Sequence, residues 1–94
     1  MRLSVLQRRI LRWLYVDQLR TPHALGSVYR ALLTHLPHAP GSITRSLRRL
    51  ERHELVTLRH SPGGRIQLVR LTAAGHQLVW QLGRDGLQDA DGGG

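Results

Sequence analysis

The segment GSITRSLRRLERHELV, residues 41–56, brings Arg45, Arg48, Arg49 and Arg52 into one short run. A guanidinium presents a rigid planar fork of N–H donors, which fits phosphate oxygens or the O6/N7 edge of guanine in a way that an ammonium does not. Hydroxyls at Ser42, Thr44 and Ser46 stand before or among the arginines. Small donors near a helix N-terminus are what contact with a nucleic-acid groove requires. Only Glu51 and Glu54 are close enough in sequence to neutralise the four cations. Like charges at three- and four-residue spacing repel by a few tenths of a kcal/mol per pair unless an anion lies between them. A solvated charged face is the plain alternative; the uncompensated arginines and the leading hydroxyls favour an anion-contacting surface.

Other chemistries find little in the chain. Without cysteine there is no disulfide, no thiolate metal site and no thiol nucleophile. His35 and His38 are two residues apart, but Pro37 lies between them and no cysteine or nearby carboxylate completes a tetrahedral metal set. The six histidines are read as satisfied or solvated side chains, with His53 and His60 in the basic region able to touch phosphate. The six acidic residues are scattered, no serine–histidine–carboxylate arrangement stands out, and SPGG and TAAG lack the spacing and lysine of a phosphate-cradling loop. The expectation is a protein that is not an enzyme and needs no cofactor or metal.

Composition supplies the long-range term. The 94 residues carry a net charge of +8, and all fourteen basic residues are arginine. Such a field attracts polyanions, of which nucleic acid is the commonest for a chain of this size. At the N-terminus, MRLSVLQRRILRWLYVDQLR interleaves arginine with apolar residues and so lacks the continuous apolar centre of a signal peptide. No run approaches the roughly 20 apolar residues of a membrane span. A soluble, cytoplasmic protein without membrane contact is expected.

The elements that would position the arginines follow from periodicity. Leu3, Leu6, Ile10, Trp13 and Leu14 recur at helical steps, with Arg2, Arg8, Arg9 and Arg12 mostly opposite, which predicts an amphipathic first helix broken at RTPHA. Leu25, Val28, Tyr29, Leu32, Leu33 and Leu36 predict a second helix over LGSVYRALLTHL, closed by Pro37 and Pro40. In the third, Ile43, Leu47 and Leu50 form one side and the arginines the other, with Ser42 or a residue just before it as N-cap. VTLRH and RIQLVRL flank SPGG, which predicts a β-hairpin over about 56–71 with a type II turn or a slightly longer loop. Thr72 would cap a last helix packed through Ala74, Leu78 and Leu82, off whose line Trp80 falls; an exposed Trp80 would mark a dimer or partner surface. A domain over 1–85 and a disordered tail over 86–94 complete the organisation. The fold class is mostly α with a small β-hairpin (α+β). Its order, α-α-α-β-β-α, is that of a winged helix-turn-helix, in which the third helix meets the major groove and the hairpin wing the backbone or minor groove.

PGSITRSLRRLERHELV resembles the third helix and following turn of PadR-like and MarR-like winged-helix transcriptional regulators. GGRIQLVRLTAAG resembles their second wing strand and the L-T-x-x-G start of the last helix; together the two pieces cover residues 40–75. The resemblance implies DNA contacts from Ser42, Thr44, Arg45, Arg48 and Arg49 on the recognition helix and from Arg59, His60 and Arg65 on the wing. It also implies a homodimer on an inverted-repeat operator. Arg52, a turn further along, is assigned to phosphate, and Arg70, towards the hairpin base, equally to keeping a strand edge soluble. The leading expectation is therefore a small sequence-specific regulator of double-stranded DNA, a repressor occupying a promoter, with no small-molecule ligand. A plasmid, phage or replication-associated DNA-binding protein, and a winged helix that docks on an acidic protein surface, are the alternatives.

Overall fold

Ser4 starts the first helix. Its hydroxyl accepts the Gln7 N–H at 3.1 Å, while the Gln7 carboxamide oxygen accepts the Ser4 N–H at 2.9 Å, a reciprocal capping box that satisfies two donors the helix would leave orphaned. The structure, a computed structural model, describes residues 2–93, with side chains described through Gly83. The elements run α1 (Val5–Arg20), β1 (Ser27–Val28), α2 (Tyr29–His35), α3 (Pro40–Arg52), β2 (Val56–His60), β3 (Ile66–Leu71) and α4 (Ala73–Gly93). The strands form an antiparallel sheet in the order β1-β3-β2. Ile10, Leu11 and Leu14 of α1, Leu32 and Leu36, Ile43, Leu47 and Leu50 of α3, and Val56, Val69, Leu71 and Val79 form one core between helices and sheet. Leu11, absent from the spine expected for the first helix, is fully buried, whereas Leu3, Leu6 and Trp13 sit at the rim of the core.

The second helix is shorter than its spacing predicts, and Leu25–Val28 do not belong to it. Gly26 lies so close to β3 that a Cβ there would stand 2.9 Å from the Val69 carbonyl oxygen, a position open only to glycine. That approach lets Ser27 and Val28 pair with Val69 and Leu68 as a third strand, and it leaves Leu25 and Val28 exposed.

Pro40, expected to close the second helix, instead opens the third. It occupies the first turn of α3, where a missing N–H costs nothing, and Ala39, which makes no side-chain hydrogen bond, is the N-cap in place of Ser42. Ile43, Leu47 and Leu50 are completely buried, as their spacing predicts. At the other end Leu55 N–H reaches Leu50 O at 3.0 Å and Glu54 N–H reaches Glu51 O at 2.9 Å, with Glu54 at φ 60°. This Schellman turn reverses the chain from α3 into β2.

The hairpin spans the expected residues, and of the two expected connections it takes the longer loop. Gly64 N–H bonds to Ser61 O at 2.9 Å and Ser61 N–H to Arg65 O at 2.7 Å, and the left-handed residue is Gly64 (φ 84°) rather than Gly63. A type II turn would need Gly63 there, so the loop is the longer kind, a turn followed by one left-handed glycine. Beyond it the register shifts at Arg59/His60, so that His60 faces Ile66 and Arg59 faces Leu68.

Thr72 caps α4 as expected: its hydroxyl accepts Gly75 N–H at 3.0 Å and donates to Glu54 O at 2.6 Å. The packed line of α4 is displaced from the expected one, because Gly75 and Val79 are buried while Ala74 is exposed and Leu78 is only half-buried. Trp80 is 55% exposed. The α4 backbone is helical through Gly93, across the stretch expected as a disordered tail; side chains of that tail and residue 94 lie outside the described residues.

Candidate nucleic-acid interface

At about 100° per residue, burial of Ile43, Leu47 and Leu50 turns the opposite face of α3 outward, and Arg45, Arg48, Arg49 and Arg52 are all exposed on it. Arg45 Nε–H makes a 3.4 Å bond to Gly41 O; among the described residues none of the four forms an ion pair. Four guanidiniums on one face thus keep nearly all their donors for an outside acceptor.

The arginines fan to two sides. Arg48 turns to the wing and lines an open cleft of about 660 Å³ with Thr44, Tyr29, Arg30, Gly64 and Arg65. Arg45 and Arg49 turn the other way, into a smaller hollow of about 300 Å³ shared with Ser42, Ser46 and Ser4. Arg49 and Arg52 border a further hollow with Arg2 and His53. A band of cations therefore runs from the wing tip across α3 to the start of α1.

Of the expected contacts, the structure gathers Ser42, Thr44, Arg45, Arg48, Arg49, Arg52 and Arg65 along this band. Arg59 and His60 are exposed on β2, one of the sheet's two edge strands, and do not line the cleft between α3 and the wing. Sequence reasoning missed Arg30 and Arg2, whose places follow from the short α2 and from the packing of the α1 N-terminus beside α3. Arg30 had one available signal, an arginine flanked by Tyr29 and Leu33 at the start of a helix.

Thr44 is less free than its position in the sequence implies. Its hydroxyl donates to Pro40 O at 2.9 Å, so the Tyr29 hydroxyl, 2.5 Å away, must donate to Thr44 Oγ1. The pair ties α2 to the leading turn of α3, and what Thr44 can offer a ligand is one lone pair and its methyl group. Tyr29→Phe should cost about 1 kcal/mol of stability, read as a lower midpoint in urea unfolding at unchanged slope.

Among the described residues no group of three or more His, Asp or Glu is placed to hold a metal ion, and no helix is long and apolar enough to cross a membrane.

A helix pair joined by a tight turn, a two-stranded wing directly after it, a short strand on the wing's inner edge and a closing helix define a winged helix-turn-helix domain. Solved structures share this fold. MepR, described as a transcription regulator of the Staphylococcus aureus multidrug efflux pump MepA, superposes with a TM-score of 0.72 at 22% identity, over 94% of this chain and 62% of its own. ZitR of Lactococcus lactis, in a point-mutant form, gives 0.70 at 17% identity over 97% and 57%. AF1382 of Archaeoglobus fulgidus gives 0.74 at 16% identity over 94% and 89%. The expected winged-helix fold is therefore the one found, with β1 added. The chain spans about three-fifths of the length of MepR and ZitR. No protein-family model matches the sequence, and no curated protein matches it.

Proposed function

We propose that this chain binds double-stranded DNA as a small transcriptional regulator. α3 lies in the major groove, the β2–β3 wing follows the backbone or the adjacent minor groove, and occupation of a promoter represses transcription. The observation that carries this reading is the band of exposed guanidiniums, which on α3 form no ion pair among the described residues, with Arg48 and Arg65 lining one cleft. The fold shared with MepR, a transcription regulator, supports it.

Within this reading Arg45, Arg48 and Arg49 contact base edges, guanine above all, and Ser42 and Thr44 assist near the helix start. Arg52, Arg65, Arg59 and His60 meet phosphate. Two copies bind an inverted repeat, with exposed Trp80 on α4 as part of the surface where they meet. A dimeric mass in solution supports that pairing; a monomeric mass at high micromolar concentration opposes it.

Titration of a labelled random-sequence duplex at several salt concentrations tests the reading. About four phosphate contacts per chain would give log K against log salt a slope near −3.6. A protein that leaves the duplex unbound at about 50 mM salt, or that holds an acidic protein which excess duplex fails to displace, would instead be a winged helix for protein docking.

A further inference from the structure

Gln18, in the last turn of α1, spends every polar atom of its side chain on the root of the wing. Its carboxamide nitrogen donates to Val69 O at 3.1 Å and to Ser27 Oγ at 3.2 Å, and its carboxamide oxygen accepts Leu71 N–H at 3.2 Å. The orientation of the amide is unambiguous, because a backbone carbonyl can only accept and a backbone N–H can only donate. The Ser27 hydroxyl in turn donates a hydrogen bond to Asp17 Oδ2 at 2.6 Å, so two successive residues of α1 hold β1 and β3 together.

The need for this clamp lies in the sheet. In an antiparallel strand, alternate residues point both backbone groups to the same side, and Val69 O and Leu71 N–H of β3 both face the edge where β1 lies. β1 has only two residues, pairing Ser27 with Val69 and Val28 with Leu68. At Gly26 the chain turns away, and Leu25, which would have stood opposite Leu71, is exposed. The Gln18 side-chain carbonyl takes the place of the one that a longer β1 would have offered to Leu71 N–H, and its NH₂ joins Val69 O to Ser27 Oγ.

We propose that Gln18 is a positioning residue for the DNA interface, fixing the angle between the wing and the arginine face of α3. The inference rests on the DNA-binding reading above. α1 is the common frame, since Ile10, Leu11 and Leu14 share a core with Ile43, Leu47 and Leu50 of α3 while Gln18 grips β3. The clamp sits at Val69 and the wing cation at Arg65, a lever of about 13 Å at strand rise. A swing of about 15° at the root would carry Arg65 roughly 3 Å, a full hydrogen-bond length, away from its place across the cleft from Arg48. The hairpin tip has no comparable tether: Pro62, Gly63 and Gly64 are all exposed.

The test reads geometry and binding separately. The chain has no cysteine, so spin labels on Glu51→Cys, exposed on α3, and Gly63→Cys, where a Cβ meets only Ser61 Oγ at 3.8 Å, report the distance from α3 to the wing tip without DNA. Gln18→Leu removes the clamp. Gln18→Glu, the second variant should the first fail to fold, keeps an acceptor for Leu71 N–H but loses both donors. Either variant should broaden the distance distribution and weaken binding of a random duplex about tenfold, the size of losing one cation–phosphate contact. Each should add nothing further in an Arg65→Ala background, whereas Arg48→Ala should cost the same with or without Gln18. An unchanged distribution overturns the positioning role even if DNA binds. So does a loss of affinity that persists in the Arg65→Ala background, which would mark general destabilisation. A wild-type protein that binds no duplex overturns the DNA reading itself, whatever the labels report.

Discussion

Arg48→Ala and Arg49→Ala should each weaken binding to a preferred duplex by about 1 to 3 kcal/mol and relax the preference at one base position each. The two are neighbours in sequence but lean to opposite sides of α3, Arg48 into the cleft with the wing and Arg49 into the hollow beside α1, so they should read different base steps. Both donate through a fork that guanine accepts twice, at O6 and N7, and an alanine leaves that edge facing water. Arg65→Ala should behave otherwise. It sits on a turn-flanking wing position and should weaken all sequences alike while flattening the salt dependence by about one unit of slope. Anisotropy titrations of each variant against the preferred site and its single-base changes separate the two patterns. Loss of discrimination on Arg65→Ala with none on Arg48→Ala would exchange their roles.

Gly75→Ala should be the most damaging single substitution for the fold. A Cβ at Gly75 would overlap the Leu55 carbonyl oxygen and stand 3.0 Å from the Leu71 side chain. Neither neighbour can yield cheaply, because Leu55 O also accepts Thr72 N–H at 3.1 Å and Leu71 belongs to the core. Relief requires α4 to lift off the sheet, and overpacking of this kind costs about 3 kcal/mol. In a domain of this size about 3 kcal/mol lowers the melting temperature by roughly 12–24 °C. Thermal unfolding by far-UV circular dichroism measures it; a shift of only a few degrees would mean that α4 docks less closely than described. The same contact explains the L-T-x-x-G pattern in physical terms. Leucine fills the core, threonine caps the helix and ties it to Glu54, and glycine admits the Leu55 carbonyl.

Local and periodic features are legible in the chain alone. The Ile43–Leu47–Leu50 spine was legible because three apolar residues repeat at helical spacing within one uninterrupted segment, and the arginine face was legible as its complement. The hairpin was legible from SPGG between two β-rich runs, and the α4 cap from a threonine before a helical pattern. Long-range needs were not legible. The glycine requirement at Gly26 comes from Val69 and the use of Gln18 from Val69 and Leu71, both far away in sequence, while a two-residue strand has no period to detect. Pro40 signals a helix stop as readily as a first turn, and only the path after Leu36 decides. Gly75 escaped the apolar line of α4 because its missing side chain is what lets it pack. Within the site, exposure of the arginines could be read, but their division could not. That Arg65 lines the cleft with α3 while Arg59 and His60 do not belongs to the assembled fold. The commitment of Thr44 to Tyr29 and Pro40 likewise belongs to the assembled fold.

The proposed role of the arginine face of α3 is to read DNA sequence. Selection of bound duplexes from a random pool, carried out in parallel with the wild-type protein and with Arg48→Ala, puts that role to the test. A guanine-containing site should be enriched, arranged as an inverted repeat if two chains bind together, with one position released in the variant. A pool that stays random through successive rounds, or a variant that enriches the same site with the same stringency, would contradict it.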